Sequence, residues 1–318
     1  MYQVIVNPGA RSGKGRRHWE EVKNVLDSRG HKYAVHFTTK AGDAADYAVT
    51  LYKEALAKNE VLKLIVLGGD GTMNEVMQGL PEFDNLELSC IPVGSSNDLA
   101  RGIGISFNPK EAIEHILDSP LTFNMDLGIV HSSNSSANDN GVTIPDRRFL
   151  VSTGFGYDAA ICEEANASGA KKLLNRIGLG KLVYLLICLK QLISVRDYST
   201  TLILENGKEI KLDRLLLIAG MNNMYEGGGF KFAPAARNDD GKIDLCVVSG
   251  LSRSKVLQIL PQAMKGNHYK FDGVDAYQSS TYTVKSQTPL WVHTDGEALY
   301  QADCITVECI KNAIKMIY

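Results

Sequence analysis

A glycine-rich turn with one acid and one hydroxyl stands at residues 68–72 (Gly-Gly-Asp-Gly-Thr), directly after the apolar run 64–67. Glycines let the backbone approach phosphate oxygens closely, and the free N–H groups of a helix start attract anions. We expect such a helix to begin near Met73. A single turn of this kind is also an ordinary strand-to-helix connection, so the phosphate-binding interpretation depends on further loops.

A second small-residue loop, residues 7–15 (Asn-Pro-Gly-Ala-Arg-Ser-Gly-Lys-Gly), lies between a predicted strand and a predicted helix. Its hydrogen-bond donors suit a polyphosphate. It is not a Walker loop, because Gly9 and Gly13 enclose three residues instead of four and a glycine follows Lys14. A simple basic turn is the alternative interpretation of this loop.

Hydroxyl, amide and carboxylate groups also gather in residues 92–101 (Pro-Val-Gly-Ser-Ser-Asn-Asp-Leu-Ala-Arg). We expect this segment to form a third loop of the same kind. The alternative is that Ser96 or Asn97 only caps the helix that follows.

Two carboxylates, Asp295 and Glu297, flank Gly296 after the strand-like run 290–294. They lie two residues apart across a flexible turn. Such a sequence is also common between the two strands of a hairpin, so the turn by itself does not establish catalysis.

The first third of the chain alternates short apolar runs with segments of helical period. The apolar runs lie at 2–6, 33–37 and 62–67, and the helical segments lie at 16–29 and 43–57. This rhythm predicts βαβ units and a mainly parallel sheet. Open α/β sheets bind ligands at the carboxyl ends of their strands, which is where we expect the three small-residue loops.

From about Leu127 the pattern changes to short strand-like runs separated by turns, which predicts a mostly antiparallel sandwich or barrel. The runs lie at 149–153, 200–204, 214–219, 243–248 and 290–293. One helical insertion, predicted at 171–196, interrupts this region, and we expect a polar loop at 132–140.

The length of 318 residues allows two domains with separate cores. The predicted fold class is an α/β N-terminal domain with a mainly parallel sheet, followed by a β-rich, sandwich-like second domain. We expect the first domain at residues 1–126 and the second at 127–308. A C-terminal segment, 309–318, is expected to return to the first domain.

The composition argues against several classes of protein. A net charge of -2 gives no global attraction to nucleic acid. Six cysteines without a Cys-x-x-Cys pair indicate reduced residues of a cytoplasmic protein. The N-terminus lacks the pattern of a secretory signal, and the most apolar run, 182–189, is too short to cross a bilayer.

Taken together, residues 68–75 and 92–101 resemble the catalytic signature of diacylglycerol kinases, which sphingosine kinases share. The resemblance continues through residues 222–244 and ends at residues 295–297, so it covers nearly the whole chain. It implies an NAD kinase/diacylglycerol kinase-like fold. It also implies an ATP- and magnesium-dependent lipid kinase that transfers the γ-phosphate to a lipid hydroxyl, with diacylglycerol as the leading acceptor.

The same resemblance implies which residues are functional. ATP would lie in a cleft between the domains, in contact with Asn7, Pro8, Gly9, Ala10, Arg11, Ser12, Gly13, Thr38, Gly69, Asp70, Gly71, Thr72, Met73, Asn74, Glu75 and Ser95. Glu297 would be the general base that takes the proton of the substrate hydroxyl, with electrostatic support from Asp295. Asp70 also belongs to the catalytic group.

Two magnesium sites follow from the resemblance. The catalytic ion would be held, through water, by three carboxylates: Asp70, Asp98 and Asp126. Capping or turn roles for Asp98 and Asp126 stay open. A structural ion would be held by the main-chain carbonyls of Arg237 and Lys242 and by the side chain of Asp240, although the sequence alone also fits an ordinary turn there.

The expected partners are a lipid alcohol and, transiently, a membrane surface, with no nucleic acid. Basic and apolar residues occur together in the segment 171–196, which suits an anionic bilayer surface, although a buried helix is the alternative. The expected location is the cytoplasm, with peripheral association with the membrane. A homodimer is left open.

Two other interpretations stay open. An NAD kinase has a similar Gly-Gly-Asp-Gly-Thr turn and a β-rich second domain, but residues 92–101 argue against it. A non-catalytic nucleotide or lipid sensor would keep the fold without turnover. Such a sensor usually loses its base or acidic cluster, whereas all five carboxylates are present here: Asp70, Asp98, Asp126, Asp295 and Glu297.

Overall fold

The computed structural model describes residues 1–118, 120–132, 145–167, 190 and 198–318. Except for Lys190, the predicted helical insertion at 171–196 lies outside the described residues. So does the predicted polar loop, except for Ser132, which ends a strand. The described chain forms two compact units: unit 1 comprises Met1–Leu127 and Lys311–Tyr318, and unit 2 comprises Gly128–Ile310.

Unit 1 is built on parallel strands that alternate with helices. Its strands are β1 (Tyr2–Val6), β2 (Tyr33–Phe37), β3 (Leu62–Gly68) and β4 (Leu86–Pro92). Its helices are α1 (Ala10–Gly13), α2 (Gly15–Ser28), α3 (Asp43–Ala57), α4 (Asp70–Gly79), α5 (Asp98–Ile103) and α6 (Pro109–Asp118). The parallel order is β2-β1-β3-β4, and Met316 pairs with Leu88 beyond β4.

The sequence pattern of unit 1 explains these layers. Every residue of β3 except Lys63 is buried, as expected for a strand that is covered on both faces. Helix α2 turns one face inward, with Trp19, Val22 and Leu26 buried at spacings of three and four residues. The predicted α/β class of the N-terminal part is confirmed.

Unit 2 is rich in antiparallel strands. They are β5 (Thr122–Ser132), β6 (Arg147–Phe149), β7 (Ser152–Gly156), β8 (Thr200–Leu204), β9 (Glu209–Leu212), β10 (Leu215–Met221), β11 (Ile243–Ser249), β12 (Val274–Ser279), β13 (Thr281–Thr294) and β14 (Glu297–Ile317), of which β5 and β14 also contribute residues to unit 1. Two helices, α7 (Tyr157–Ala167) and α8 (Arg253–Ala263), and a 3-10 turn (His268–Lys270) accompany them. The antiparallel order is β12-β11-β10-β7-β13-β14.

Both faces of this sheet are buried. Successive residues of β10 point in opposite directions, so Ile218 joins one apolar cluster with Phe155 and Tyr282. Ala219 joins a second cluster, which Ile259 of α8 covers. The predicted β-rich class of the second part is confirmed, and the two clusters explain why β10 is apolar at every position.

Two local expectations need correction. The helix after the glycine-rich turn begins at Asp70 instead of near Met73, so the acid itself lies in the first helical turn. The strand predicted at 149–153 is two strands, β6 and β7, separated by Leu150 and Val151. No helix among the described residues is long and apolar enough to cross a membrane.

Candidate active site

The three small-residue loops of unit 1 meet at the carboxyl ends of β1, β3 and β4. Asn7 follows β1, and its Nδ2 donates to Oγ1 of Thr72, 3.0 Å away, in the first turns of α4. Its Oδ1 accepts the backbone N–H of Gly9 at 3.0 Å. Asn7 therefore joins the first loop to the second through Nδ2 and stabilises the first loop itself through Oδ1.

The second and third loops touch through their backbones. A Cβ atom placed on Gly94 would lie 2.5 Å from the Cα of Gly69, and one placed on Gly69 would lie 2.9 Å from the Cα of Gly94. Such contacts are far too short, so both positions require glycine. The side chain of Asn97 closes the third loop, since its Oδ1 accepts the N–H of Gly94 at 2.8 Å.

Asn97 occupies the N-cap position of α5 in the left-handed conformation, with a φ of 52°. Its side chain does not cap the helix but returns to Gly94. The cap expected from Ser96 or Asn97 is instead supplied from another helix. Oδ2 of Asp70 accepts the N–H of Asp98 at 3.1 Å, and its Oδ1 accepts the N–H of Leu99 at 3.2 Å.

The three carboxylates predicted to hold magnesium have different surroundings. Each carboxylate oxygen of Asp70 accepts one backbone N–H at the start of α5. Asp98 is 3% exposed, and its Oδ1 lies 3.6 Å from Nε of Arg101. Asp126 is fully buried and accepts the N–H of Asn312 at 2.7 Å, so it could act on an ion only indirectly. A magnesium site at these carboxylates stays a prediction.

The remaining nucleotide candidates line the same edge of the unit 1 sheet. The backbone N–H of Thr38 donates to the carbonyl of Val6 directly after β2. Glu75 of α4 accepts the N–H of Gly42 at 3.0 Å, which holds the start of α3. Asn74 is fully buried, whereas Ser95 is exposed. Glu75 and Asn74 therefore have structural partners of their own, and Ser95 is free to face solvent.

In unit 2, residues 295–296 form the turn between β13 and β14. Both Asp295 and Gly296 have positive φ, 49° and 82°, and Thr294 pairs with Glu297 directly across the turn. Two left-handed residues in a two-residue loop match the twist of the adjoining strands, and Asp-Gly is a preferred pair for this purpose. The hairpin interpretation of the sequence is thus correct, and it also places Glu297 as the first residue of β14.

The Asp295 carboxylate anchors this turn to the segment between β6 and β7. Its Oδ1 accepts the N–H groups of Val151 at 2.8 Å and Ser152 at 3.1 Å, and its Oδ2 accepts the N–H of Leu150 at 3.0 Å. The backbone N–H of Asp295 returns a bond to the carbonyl of Ser152. These four bonds make Asp295 the residue that fixes the position of Glu297.

The carboxylate of Glu297 pairs with the guanidinium of Arg147 from β6. Nη2 of Arg147 lies 3.1 Å from Oε2 of Glu297, and the Glu297 side chain is 38% exposed. The sequence reasoning did not single out Arg147. Arg147 thus orients the candidate base, whose side chain remains accessible to a substrate.

A buried cluster that the sequence reasoning missed lies directly before the turn. The imidazole of His293 is fully buried, and its Nε2 lies 3.2 Å from Oε1 of Glu226 and 3.4 Å from Oδ2 of Asp158. Its Nδ1 accepts the backbone N–H of Gly296 at 3.3 Å. The only available signal was the position of His293 two residues before Asp295.

This cluster retains a proton more readily than isolated groups would. Burial raises the pKa of Asp158, and although His293 opposes the rise, Glu226 adds to it. Two carboxylates and an imidazole could also ligate a divalent cation, since their ligand atoms lie within 4.8 Å of one another.

Gly154 of β7 makes room for the cluster. A Cβ atom at this position would lie 2.0 Å from Oδ2 of Asp158 and 2.3 Å from Nε2 of His293. Any larger residue would force the two side chains apart. The contact between Asp158 and His293 therefore requires glycine at position 154.

The segment predicted to hold a structural magnesium ion forms a compact polar turn. Oδ1 of Asp240 accepts the N–H of Lys242 at 3.0 Å, and its Oδ2 accepts from Gln278 at 3.1 Å. The side chain of Arg237 pairs with Asp239. These contacts fit the ordinary turn of the alternative interpretation, and the metal site stays a prediction.

Comparisons with known proteins match both parts of the chain to known families. The diacylglycerol kinase catalytic domain family matches residues 1–129, and the YegS C-terminal NAD kinase beta sandwich-like domain family matches residues 151–318. A diacylglycerol kinase of Mycobacterium tuberculosis is 31% identical over 257 residues, which are 80% of this chain and 76% of the relative. A diacylglycerol kinase of Bacillus subtilis is 28% identical over 303 residues, which are 93% of this chain and 89% of the relative.

The crystal structure of a diacylglycerol kinase from Bacillus anthracis has a TM-score of 0.69 and 22% identity, and the match covers 100% of this chain and 96% of that one. At this identity the likeness establishes the fold. The two domain matches and the relatives together define the class of protein, which is a kinase. The chain belongs to the diacylglycerol kinase and YegS family of lipid kinases.

Proposed function

We propose that this lipid kinase uses magnesium-bound ATP to phosphorylate the free hydroxyl of diacylglycerol. The proposal that the protein binds ATP rests on one observation. Three loops are joined at one edge of the sheet through Asn7, Thr72 and the contact between Gly69 and Gly94. Backbone N–H groups and helix starts in such loops favour phosphate oxygens. A hydrated magnesium ion near Asp70 and Asp98 would neutralise the charge that develops on the transferred phosphoryl group.

Glu297 is the proposed general base. Its carboxylate is accessible, starts a strand behind a rigid turn and is oriented by Arg147. A base must reach the proton that it abstracts and keep a fixed position while it does so. In this proposal Asp295 acts through backbone hydrogen bonds that position Glu297, instead of through charge near the substrate.

Diacylglycerol is proposed as the acceptor because two relatives with substantial coverage are named diacylglycerol kinases. Unit 1 would hold the nucleotide and unit 2 would supply the base. We also propose that the protein works in the cytoplasm and touches a membrane only peripherally, since its substrate is a lipid.

The deciding experiment measures transfer of radiolabelled γ-phosphate from ATP to a panel of acceptors in mixed micelles, with and without magnesium. The panel contains diacylglycerol, monoacylglycerol, sphingosine, phosphatidylglycerol and NAD. Labelled phosphatidic acid that depends on magnesium would support the proposal. Label in another lipid would identify that lipid as the acceptor instead of diacylglycerol. ATP binding without any labelled product would favour a non-catalytic sensor.

A further inference from the structure

Helix α8 of unit 2 exposes an apolar ridge. Leu257 is 45% exposed and Met264, at the C-cap, is 54% exposed, and Pro261 between them is exposed as well. These residues follow one another at spacings of four and three, so they line one face of the helix. An exposed ridge of this kind is unusual on a helix whose other face is already buried.

The helix and the turn after it carry a local excess of positive charge up to Phe271, and Asp272 is the first acid that follows. Residues 253–271 contain four basic residues and no aspartate or glutamate, in a chain whose net charge is -2. The basic residues are all exposed, and they are Arg253, Lys255, Lys265 and Lys270. The helix thus combines apolar side chains with a local excess of positive charge.

The ridge is held firmly by the fold. The opposite face of α8 buries Ile259 and Ala263 in the second apolar cluster of unit 2. Oγ of Ser252 accepts the N–H of Lys255 and caps the helix start. At the other end, the carbonyl of Ala263 accepts the N–H of Lys231. The ridge is therefore presented outward by a fixed helix and is not needed to pack unit 2.

The hydrogen bond from Lys231 to Ala263 links α8 to the segment that contains Glu226 of the buried cluster around His293. Lys231 lies five residues after Glu226, which contacts His293, and a backbone bridge joins Glu226 to Phe230. The ridge and the candidate base are thus connected within unit 2 through one short segment.

We propose that this face of α8 is a docking surface for a bilayer that contains anionic lipids, an inference that rests on the proposed lipid kinase function. Leu257, Pro261 and Met264 would enter the boundary between head groups and acyl chains. The four cations would meet lipid phosphates, as in other helices that lie in the membrane interface. The prediction of membrane contact from sequence concerned a different segment, residues 171–196.

Charge favours a bilayer over a second copy of this chain. Two copies that met through the same face would bring eight cations together without a facing acid in residues 253–271 of either copy. An anionic bilayer instead offers phosphates at every point of contact. A protein partner is an outcome that the experiment below distinguishes.

The test measures co-sedimentation with vesicles of phosphatidylcholine alone or of phosphatidylcholine mixed with phosphatidylglycerol, without ATP. Two double variants are used: Leu257→Ser with Met264→Ser, and Lys265→Glu with Lys270→Glu. The matched control combines Leu56→Ser, at a side chain that is 52% exposed, with Lys58→Glu. We expect at least about a tenfold loss of affinity for the anionic vesicles in both α8 variants, with the charge variant more salt-sensitive, and none in the control.

Activity is measured in parallel on diacylglycerol in vesicles and on a dispersed short-chain diacylglycerol. We expect the α8 variants to lose activity on vesicles and to retain it on the short-chain substrate. Absence of vesicle binding by the unaltered protein, or equal binding by the α8 variants, would overturn the docking surface. So would a dimer in sedimentation analysis that only the α8 variants abolish. If no diacylglycerol is phosphorylated in either form, the proposed function fails separately, because vesicle binding is scored without ATP.

Discussion

The Nδ1 atom of buried His293 accepts the backbone N–H of Gly296, 3.3 Å away, inside the turn that precedes Glu297. Its Nε2 is held from the other side by Asp158 and Glu226. One imidazole therefore links a buried acidic pair to the backbone that carries the candidate base. This makes His293 a positioning residue in the proposed mechanism.

Two substitutions of His293 should show whether its hydrogen-bond acceptor at Nδ1 or only the volume of its side chain is required. Asparagine can place an acceptor near the position of Nδ1, whereas glutamine places its amide nearer Nε2. We expect His293→Gln to lower kcat at least about tenfold with little change in KM for ATP, since the nucleotide is proposed to bind to unit 1. His293→Asn should recover part of that loss in steady-state assays. Equal losses in both variants, with KM for ATP rising in parallel, would contradict the positioning role.

Glu297→Gln should abolish transfer while ATP binding persists. Removal of a positioned general base typically lowers the rate by about 10²–10⁴-fold. Single-turnover kinetics would give the rate, and calorimetry would give the affinity for ATP. Glu209→Gln, at an exposed glutamate of β9, is the control and should behave like the unaltered protein. Full activity of Glu297→Gln would remove this residue from the mechanism.

Asp295→Asn should act mainly on stability and on the turn. Asparagine tolerates the left-handed backbone at this position, so strain is not the cause of any change. The substitution loses a charged acceptor for three backbone N–H groups, which we expect to lower the free energy of unfolding by about 1–3 kcal/mol. Urea denaturation measures this loss. Asp275→Asn, at an exposed carboxylate of β12, should change it little.

Asp70→Asn should impair the use of magnesium-bound ATP. The amide carries one acceptor and would turn its NH2 group toward the N–H of Asp98 or Leu99, so the link between α4 and α5 would weaken. Calorimetric titration with ATP, with and without magnesium, should show that the magnesium-dependent part of binding falls. The exposed Asp84→Asn serves as control. Unchanged magnesium dependence would exclude Asp70 from the metal site.

His131 should make the stability of unit 2 depend on pH. Burial lowers its pKa, but hydrogen bonds to Asp146 at 2.8 Å and Glu308 at 3.1 Å outweigh burial and raise it above 6.5. The stabilisation is therefore fully present below pH 6.5 and is lost as the pH rises through the higher folded value. Thermal unfolding across this range should show the decline, and His131→Gln should flatten it. The same decline in His131→Gln would assign it to another group.

Many element boundaries of unit 1 could be predicted from the local pattern of apolar residues. The helix at 43–57 and the strands at 2–6 and 33–37 begin and end where the periodicity predicted. The helix buries one face that is visible as spacing in the sequence, at Ala44, Ala48 and Leu51. The start of α4 was misjudged because Asp70 and Gly71 are weak helix formers, and the bonds from Asp70 to α5 that stabilise this first turn join residues 28 and 29 positions apart.

The candidate site was harder to predict because its contacts also join residues that are far apart in the sequence. The sequence indicated that Asp295 and Glu297 belong together, but not that Asp295 is engaged by Leu150, Val151 and Ser152. The cluster around His293 combines residues from three distant segments, and no spacing relates them. The antiparallel pairing of β7 with β13 sets Gly154 opposite His293, and the pairing of β7 with β10 brings the segment that contains Glu226 alongside.

Unit 1 contains Lys311–Tyr318 as well as its first 127 residues, and the backbone of Tyr318 exchanges two hydrogen bonds with Leu121. A ribosome makes all of unit 2 before it reaches these residues. Met316, which pairs with β4, and Asn312, which donates to Asp126, are thus synthesised after unit 2. During synthesis unit 1 therefore stays incompletely paired until residues 311–318 have been made, and we expect its completion to be the slow, chaperone-sensitive step in producing the folded protein.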